Sequence, residues 1–169
     1  QLVRRHAFLP GRADQRISLI HVSDLAEALA TLAFARAPSG SVHELHDGTP
    51  GGYSWGSLAR IAGAVEGHAV GLTLLPRPLV GAVARVNVLL GRFARRPVML
   101  TPGKVNELYH PDWAAHHMLL DHHSDWRAAF DFETGFRQTV DWYRAQGWLP
   151  GSPRAGTSQP ARKHGETAR

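Results

Sequence analysis

The stretch Ile17-Ser18-Leu19-Ile20-His21-Val22-Ser23-Asp24-Leu25-Ala26-Glu27-Ala28-Leu29 decides how this chain is read. Residues 17–22 are mostly leucine or β-branched and do not alternate with polar residues. That pattern predicts a buried strand of a parallel sheet covered on both faces. Ser23 or Asp24 then caps a helix to about Arg36, with Leu25, Ala28, Leu29, Leu32 and Ala33 on its apolar face. Pro38-Ser39-Gly40 ends it.

Working outward, Val42 to His46 predicts a second strand, closed by Asp47-Gly48. Ser54 caps a second helix through Gly67, with Leu58, Ile61, Ala62 and Val65 inward, and Val70 to Leu75 makes a third strand. Strand, helix, strand, helix, strand is the order of an α/β layer. After Pro76 the chain turns helical. The periodicity predicts a long apolar helix over 78–96, with Arg92, Arg95 and Arg96 at its negative end. A helix from Thr101 or Pro102 to Tyr109, a short helix over Asp121 to Ala129, and an amphipathic helix from Glu133 to Gln146 follow. Residues 1–150 read as one folded portion and 151–169 as a disordered basic tail.

Composition narrows the class. The 169 residues are 43% hydrophobic and 20% charged, as in ordinary globular proteins. With no cysteine, neither a disulfide nor a thiolate metal site is available. Gln1-Leu2-Val3-Arg4-Arg5 lacks the apolar core of a signal peptide, and Leu79 to Leu90 is too short to span a bilayer. A cytoplasmic protein with no membrane partner is therefore expected. The formal charge is +5, but the arginines fall in three separate places without interleaved aromatics, which disfavours nucleic acid as a partner.

The phrase Ile20-His21-Val22-x-Asp24-Leu25-Ala26-x-Ala28-Leu29 resembles the C-terminal half of NAD-dependent epimerase/dehydratases, the extended short-chain dehydrogenase/reductase family. Val42 to Gly48, then Ser54 to Leu58, Ser124-Asp125-Trp126 and Phe132 to Tyr143 are similar to later family segments in the same order. The resemblance implies a partial Rossmann-like parallel sheet of few strands, with a mostly helical C-terminal substrate-binding subdomain. It implies NAD or NADP in the full-length protein, a small-molecule substrate such as a sugar nucleotide, and room for a homodimer.

The family's cofactor chemistry needs a glycine-rich strand-to-helix turn, and none occurs here. It also needs Tyr-x-x-x-Lys. Four residues after Tyr53, Tyr109 and Tyr143 stand Ser57, Trp113 and Gly147. The chain is therefore expected to be the substrate-binding half, missing an N-terminal half, with no cofactor of its own and no turnover alone. Much apolar surface is expected to face the absent half, so marginal stability and self-association are anticipated.

Arg16, His21, Asp24 and Lys104 are the candidate substrate-binding residues. The family's nucleotide-sugar epimerases carry a diphosphate-gripping arginine four residues before this histidine. Arg16 stands five before, a step that turns a strand side chain to the other face, so a solvated arginine is favoured. For His21 and Asp24 a hydrogen-bonded core histidine and a helix cap are favoured over pocket roles. Lys104 and Glu107 read as a solvated helix face. His116, His117, Asp121, His122 and His123 form the densest polar cluster, but His-His doublets diverge and no metal is assigned to them. His43-Glu44-x-His46 is not a zincin motif. For the helix over 78–96, core packing or a lid is favoured over a membrane-surface role. The alternatives to an enzyme half are a non-catalytic small-anion binding module and, behind it, a basic nucleic-acid or membrane-surface binder.

Overall fold

The computed structural model describes residues 2–34, 40, 42–94, 97–117, 120 and 124–151. The chain is α/β, as its element order predicts. Strand β1 (His6–Pro10) pairs in parallel with β3 (Gly71–Leu75), and the two-residue β2 (Arg16–Ile17) pairs in parallel with β4 (Asp112–Trp113). The helices are α1 (Val22–Phe34), α2 (Trp55–Glu66), α3 (Arg77–Ala94), α4 (Pro102–Leu108) and α5 (Phe132–Ala145).

The opening stretch is the largest correction. The expected strand over 17–22 shrinks to β2, because only Ile17 and Ser18 find backbone partners distant in sequence, Ser18 N donating to Trp113 O at 3.1 Å. The Ile17 N–H bonds Tyr53 O, its own carbonyl accepts from Tyr53 N, and it registers with Trp113. Residues 17–21 are half-buried rather than buried. The apolar face expected on α1 is also rotated. Asp24 and Ala28 are the buried positions and Leu32 packs beside them, whereas Leu29 is 59% exposed. The strand expected over Val42–His46 is reduced to a single bridge position at Glu44. Both β1 and β4 escaped the sequence reading.

The later helices follow their local signals. Ser54 and Ser57 form a reciprocal capping box on α2, and Gly67 closes it at φ 72°, a conformation glycine adopts without penalty. Thr101 caps α4, with proline in its first turn. Asp131 caps α5 by accepting from Thr134 N at 2.8 Å. Residues 124–129, expected as helix, are not helical, with bends at 124, 125 and 129, and 121–123 lie outside the described residues. So do Arg95 and Arg96 and, Gly151 apart, the expected tail.

Two small cores hold these elements. Val80 and Ala84 of α3 pack on Val105 and Tyr109, and the Tyr109 hydroxyl donates to Leu75 O at the end of β3. Ala28 of α1 packs on Leu120 and Trp126. Helices α2 and α5 are joined by an ion pair at their ends, Arg144 Nη2 to Glu66 Oε2 at 2.6 Å, with 12% and 3% of the side chains exposed. Removing one member of a buried pair strands the other charge and costs about 3–5 kcal/mol. Arg144→Met is therefore expected to lower the unfolding free energy by that order, read as a lower urea midpoint at unchanged slope. An unchanged midpoint would show that the pair contributes nothing.

Candidate functional site

The residues singled out at the end of the opening stretch do come together, around a chain segment distant in sequence. Asp24 is 1% exposed. Its Oδ1 accepts from the backbone N–H of Ala129 at 3.1 Å and its Oδ2 from Phe130 at 3.0 Å. The carboxylate therefore does not cap α1, which begins two residues earlier. It sits in the first turn, where the helix dipole favours negative charge, and spends both oxygens across the fold. His21 lies beside it. The His21 Nδ1 accepts from Ser23 N at 3.3 Å, and the ring rests on Phe130 with centroids 4.4 Å apart. A Cβ at Gly135 would approach His21 Cδ2 to 3.0 Å, so this first-turn glycine of α5 lets the imidazole pack close. The pair fixes the entry to α5.

A second polar knot adjoins the first. Tyr53, which bridges Ile17, donates its hydroxyl to Asp47 Oδ2 at 2.6 Å, lies 2.6 Å from Thr49 Oγ1, and accepts from Phe132 N at 3.4 Å. Gly52 must be glycine: at φ 62° an added Cβ would meet Ile17 O at 2.6 Å. Burial raises the Tyr53 pKa above its ordinary value, and the hydrogen bond to Asp47 adds to the rise. Proton transfer near neutral pH calls for the opposite shift. Tyr53 is a buried clamp between the 47–53 turn and the start of α5.

Arg16 and Lys104 do not join this assembly through any described contact. Arg16 is exposed on β2 and bonds Pro111 O through its backbone. Its guanidinium makes no hydrogen bond to a described residue. Lys104 Nζ pairs with Glu107 Oε1 at 2.5 Å on α4, both half exposed. The described members of the histidine cluster hold a loop. Asp112 Oδ2 meets His116 Nε2 at 2.9 Å, and Glu44 Oε2 accepts from the N–H groups of both His116 and His117. Those amides depress the Glu44 pKa.

Sequence reasoning missed Gln15, which is 4% exposed and ties three segments together. It accepts from Arg12 N and Trp55 Nε1 and donates to Leu108 O. A lone glutamine in a polar loop offers no pattern to read. An open groove of about 580 Å3 runs along the small-residue side of α2 against β3, with Arg60 and His68 as its polar walls. None of the four candidate residues lines it.

Three of the described helix starts already hold a first-turn amide with a side chain of this chain. The glycines of the 47–53 turn precede α2, but the first-turn amide that would face a pyrophosphate is taken by the Ser54 cap. At α1 the corresponding Ser23 amide is taken by His21, and at α5 the Thr134 amide by Asp131.

Asp24→Ala is expected to leave the buried N–H of Phe130 and the part-buried N–H of Ala129 without their acceptor and to cost about 2–3 kcal/mol, with Asp24→Asn costing less. Trp126 gives a contrast. Its indole N–H is buried with no partner among the described residues, so Trp126→Phe loses no hydrogen bond there and is expected to cost less than Asp24→Ala in the same denaturation series, only the packing lost with the smaller ring. For Tyr53 the folded pKa lies above the unfolded value of about 10. Its contribution is therefore complete below about pH 10 and is lost as pH rises through the folded pKa. Tyr53→Phe is expected to flatten the alkaline fall in melting temperature. A parallel fall in both proteins would contradict the assignment.

No family model matches the chain. It is 34% identical over 151 residues to a protein of Caulobacter vibrioides (strain NA1000 / CB15N) named ceramide reductase. The match takes in 89% of this chain and 46% of that protein, so the chain spans about half the length of the curated relative it matches. Over nearly its whole length, then, this chain is similar to part of a reductase.

Proposed function

We propose that this chain is the substrate-side portion of an NAD(P)-dependent oxidoreductase of the extended short-chain dehydrogenase/reductase type. The observation that carries the reading is its 34% identity to a reductase across 89% of its length. The β1–β3 pair supports it. Parallel strands occur almost only inside larger sheets covered on both faces, and two strands alone are marginal in water. A pair of this kind fits a place in a larger parallel sheet.

The substrate in this reading is a carbonyl on a lipid of the ceramide class, as the relative's name suggests, in place of a sugar nucleotide. The missing arginine match before His21 agrees with that change, since a diphosphate would need it. NAD or NADP would be held by the other portion, because this chain carries no glycine-rich strand-to-helix turn and Ser54, Thr101 and Asp131 already cap three of its helices. This chain's residues would shape the pocket wall: Asp24 and His21 set the position of Phe130, and Tyr53 sets that of Phe132.

The test is a graft. This chain replaces the matched portion of the Caulobacter protein, and loss of reduced nicotinamide is followed with a keto-ceramide and with a sugar nucleotide. Turnover of the lipid by the graft, and none by this chain alone, is the expected result. A folded graft that binds nucleotide yet reduces no lipid would overturn the substrate. Turnover by the chain alone would overturn the division of labour.

A further inference from the structure

Helix α3 has two different sides. Its packed row is small: Val80 and Ala84 are buried against Val105 and Tyr109, and Asn87 donates to Leu100 O at 3.2 Å. A neighbouring row is large and uncovered. Leu79, Val83, Val86, Leu90 and Phe93 recur at helical spacing and are 51–81% exposed. Leu89 widens the row, and Met99 just beyond the helix is 95% exposed.

The charges of α3 are all of one sign. It contains Arg77, Arg85 and Arg92 and no carboxylate. Arg77 is held by Asn106 Oδ1 at 2.8 Å. Arg85 and Arg92 are seven residues apart, two helical turns, and share the flank on the far side of the apolar row from Val80 and Ala84. Both are exposed and make no hydrogen bond to a described residue.

We propose that α3 is a membrane-surface helix. It lays the row from Leu79 to Phe93 into the interface of an anionic bilayer, while Arg85 and Arg92 reach the phosphate headgroups. An apolar face flanked by arginines alone is the pattern of helices that lie in the bilayer plane, and long arginine stems let the guanidinium stay at headgroup level. Among the described residues no helix is long and apolar enough to cross a membrane, and α4 covers one side of α3, so the helix lies on the surface. The cation-only flank complements anionic lipid and argues against a second copy. An antiparallel pairing along this row would set Arg85 and Arg92 of one copy beside those of the other.

This inference goes beyond the reductase reading and is tested without cofactor or turnover. The full 169-residue chain is floated with phosphatidylcholine vesicles, with and without phosphatidylglycerol. Flotation with the anionic vesicles only, weakening as salt is raised, is the expected result. Arg85→Gln with Arg92→Gln is expected to weaken binding about 25-fold, at roughly five-fold per arginine. Val86→Asp with Leu90→Asp is expected to abolish it, with circular dichroism showing that the chain remains folded. Absence of flotation by the unaltered chain overturns the proposal. So does undiminished flotation of the folded Val86/Leu90 variant, or a concentration-dependent dimer that this variant dissolves without any flotation. If that variant unfolds, the arginine variant and the salt series decide, and no weakening in either overturns the proposal.

Discussion

The Asp24 carboxylate, accepting two backbone N–H groups more than a hundred residues away, is the interaction on which the rest of the described architecture depends. A buried carboxylate is tolerated only when it is hydrogen-bonded. Once both oxygens are committed to Ala129 and Phe130, α1 can have only one rotation about its axis. Asp24, Ala28 and Leu32 must face inward, and Leu29 is carried outward. The same bond sets Phe130 under the His21 ring and leaves Asp131 free to cap α5. From there α5 runs against α2, and Arg144 meets Glu66.

Other carboxylates repeat this use of charge. Glu44 takes the amides of His116 and His117, Asp112 that of Ala114, Asp47 that of Thr49, and Asp131 that of Thr134. The chain has 14 acidic residues against 19 lysines and arginines, and several of the acids are spent on backbone. The arginines of α3 have no such duty, apart from Arg77. The net positive charge is thus expressed outward more strongly than the simple count implies, which is the condition for attraction to an anionic surface.

Much of the helical frame was legible in the sequence because its signals are local. Ser54 and Gly67 bound α2, Thr101 opens α4, and Val70–Leu75 reads as the strand found at Gly71–Leu75. The strands at His6–Pro10 and Asp112–Trp113 were not legible, since their pairing depends on partners about 65 and 96 residues away in the chain. The expectation over 17–22 was wrong for a related reason: composition indicates what suits a strand, and only a partner makes one. His21 and Asp24 were visible as a histidine and a helix-start carboxylate, but nothing in their spacing points to Ala129 and Phe130. Arg16 and Lys104 carried the right charge for an anionic ligand, and the described contacts leave them at the surface.

Size and burial are inverted on the two helices that matter most. On α1 the buried positions are an alanine and an aspartate while Leu29 and Phe34 stand exposed, and on α3 the packed residues are Val80 and Ala84 while Leu79, Leu90 and Phe93 face outward. Each large apolar side chain left in water forgoes roughly 1.5–3 kcal/mol of burial. Packing within the described residues therefore leaves most of this hydrophobic surface unused, and polar clamps such as Asp24 and Tyr53 fix the geometry that small residues alone would leave loose. Exposed apolar surface on this scale is normally an interaction surface. The two faces differ in charge. Helix α1 carries Asp24 and Glu27 in its first two turns, whereas the only charged residues of α3 are arginines, so the two faces do not suit the same partner. The anionic lipid surface proposed for α3 therefore fits that face and not the face of α1.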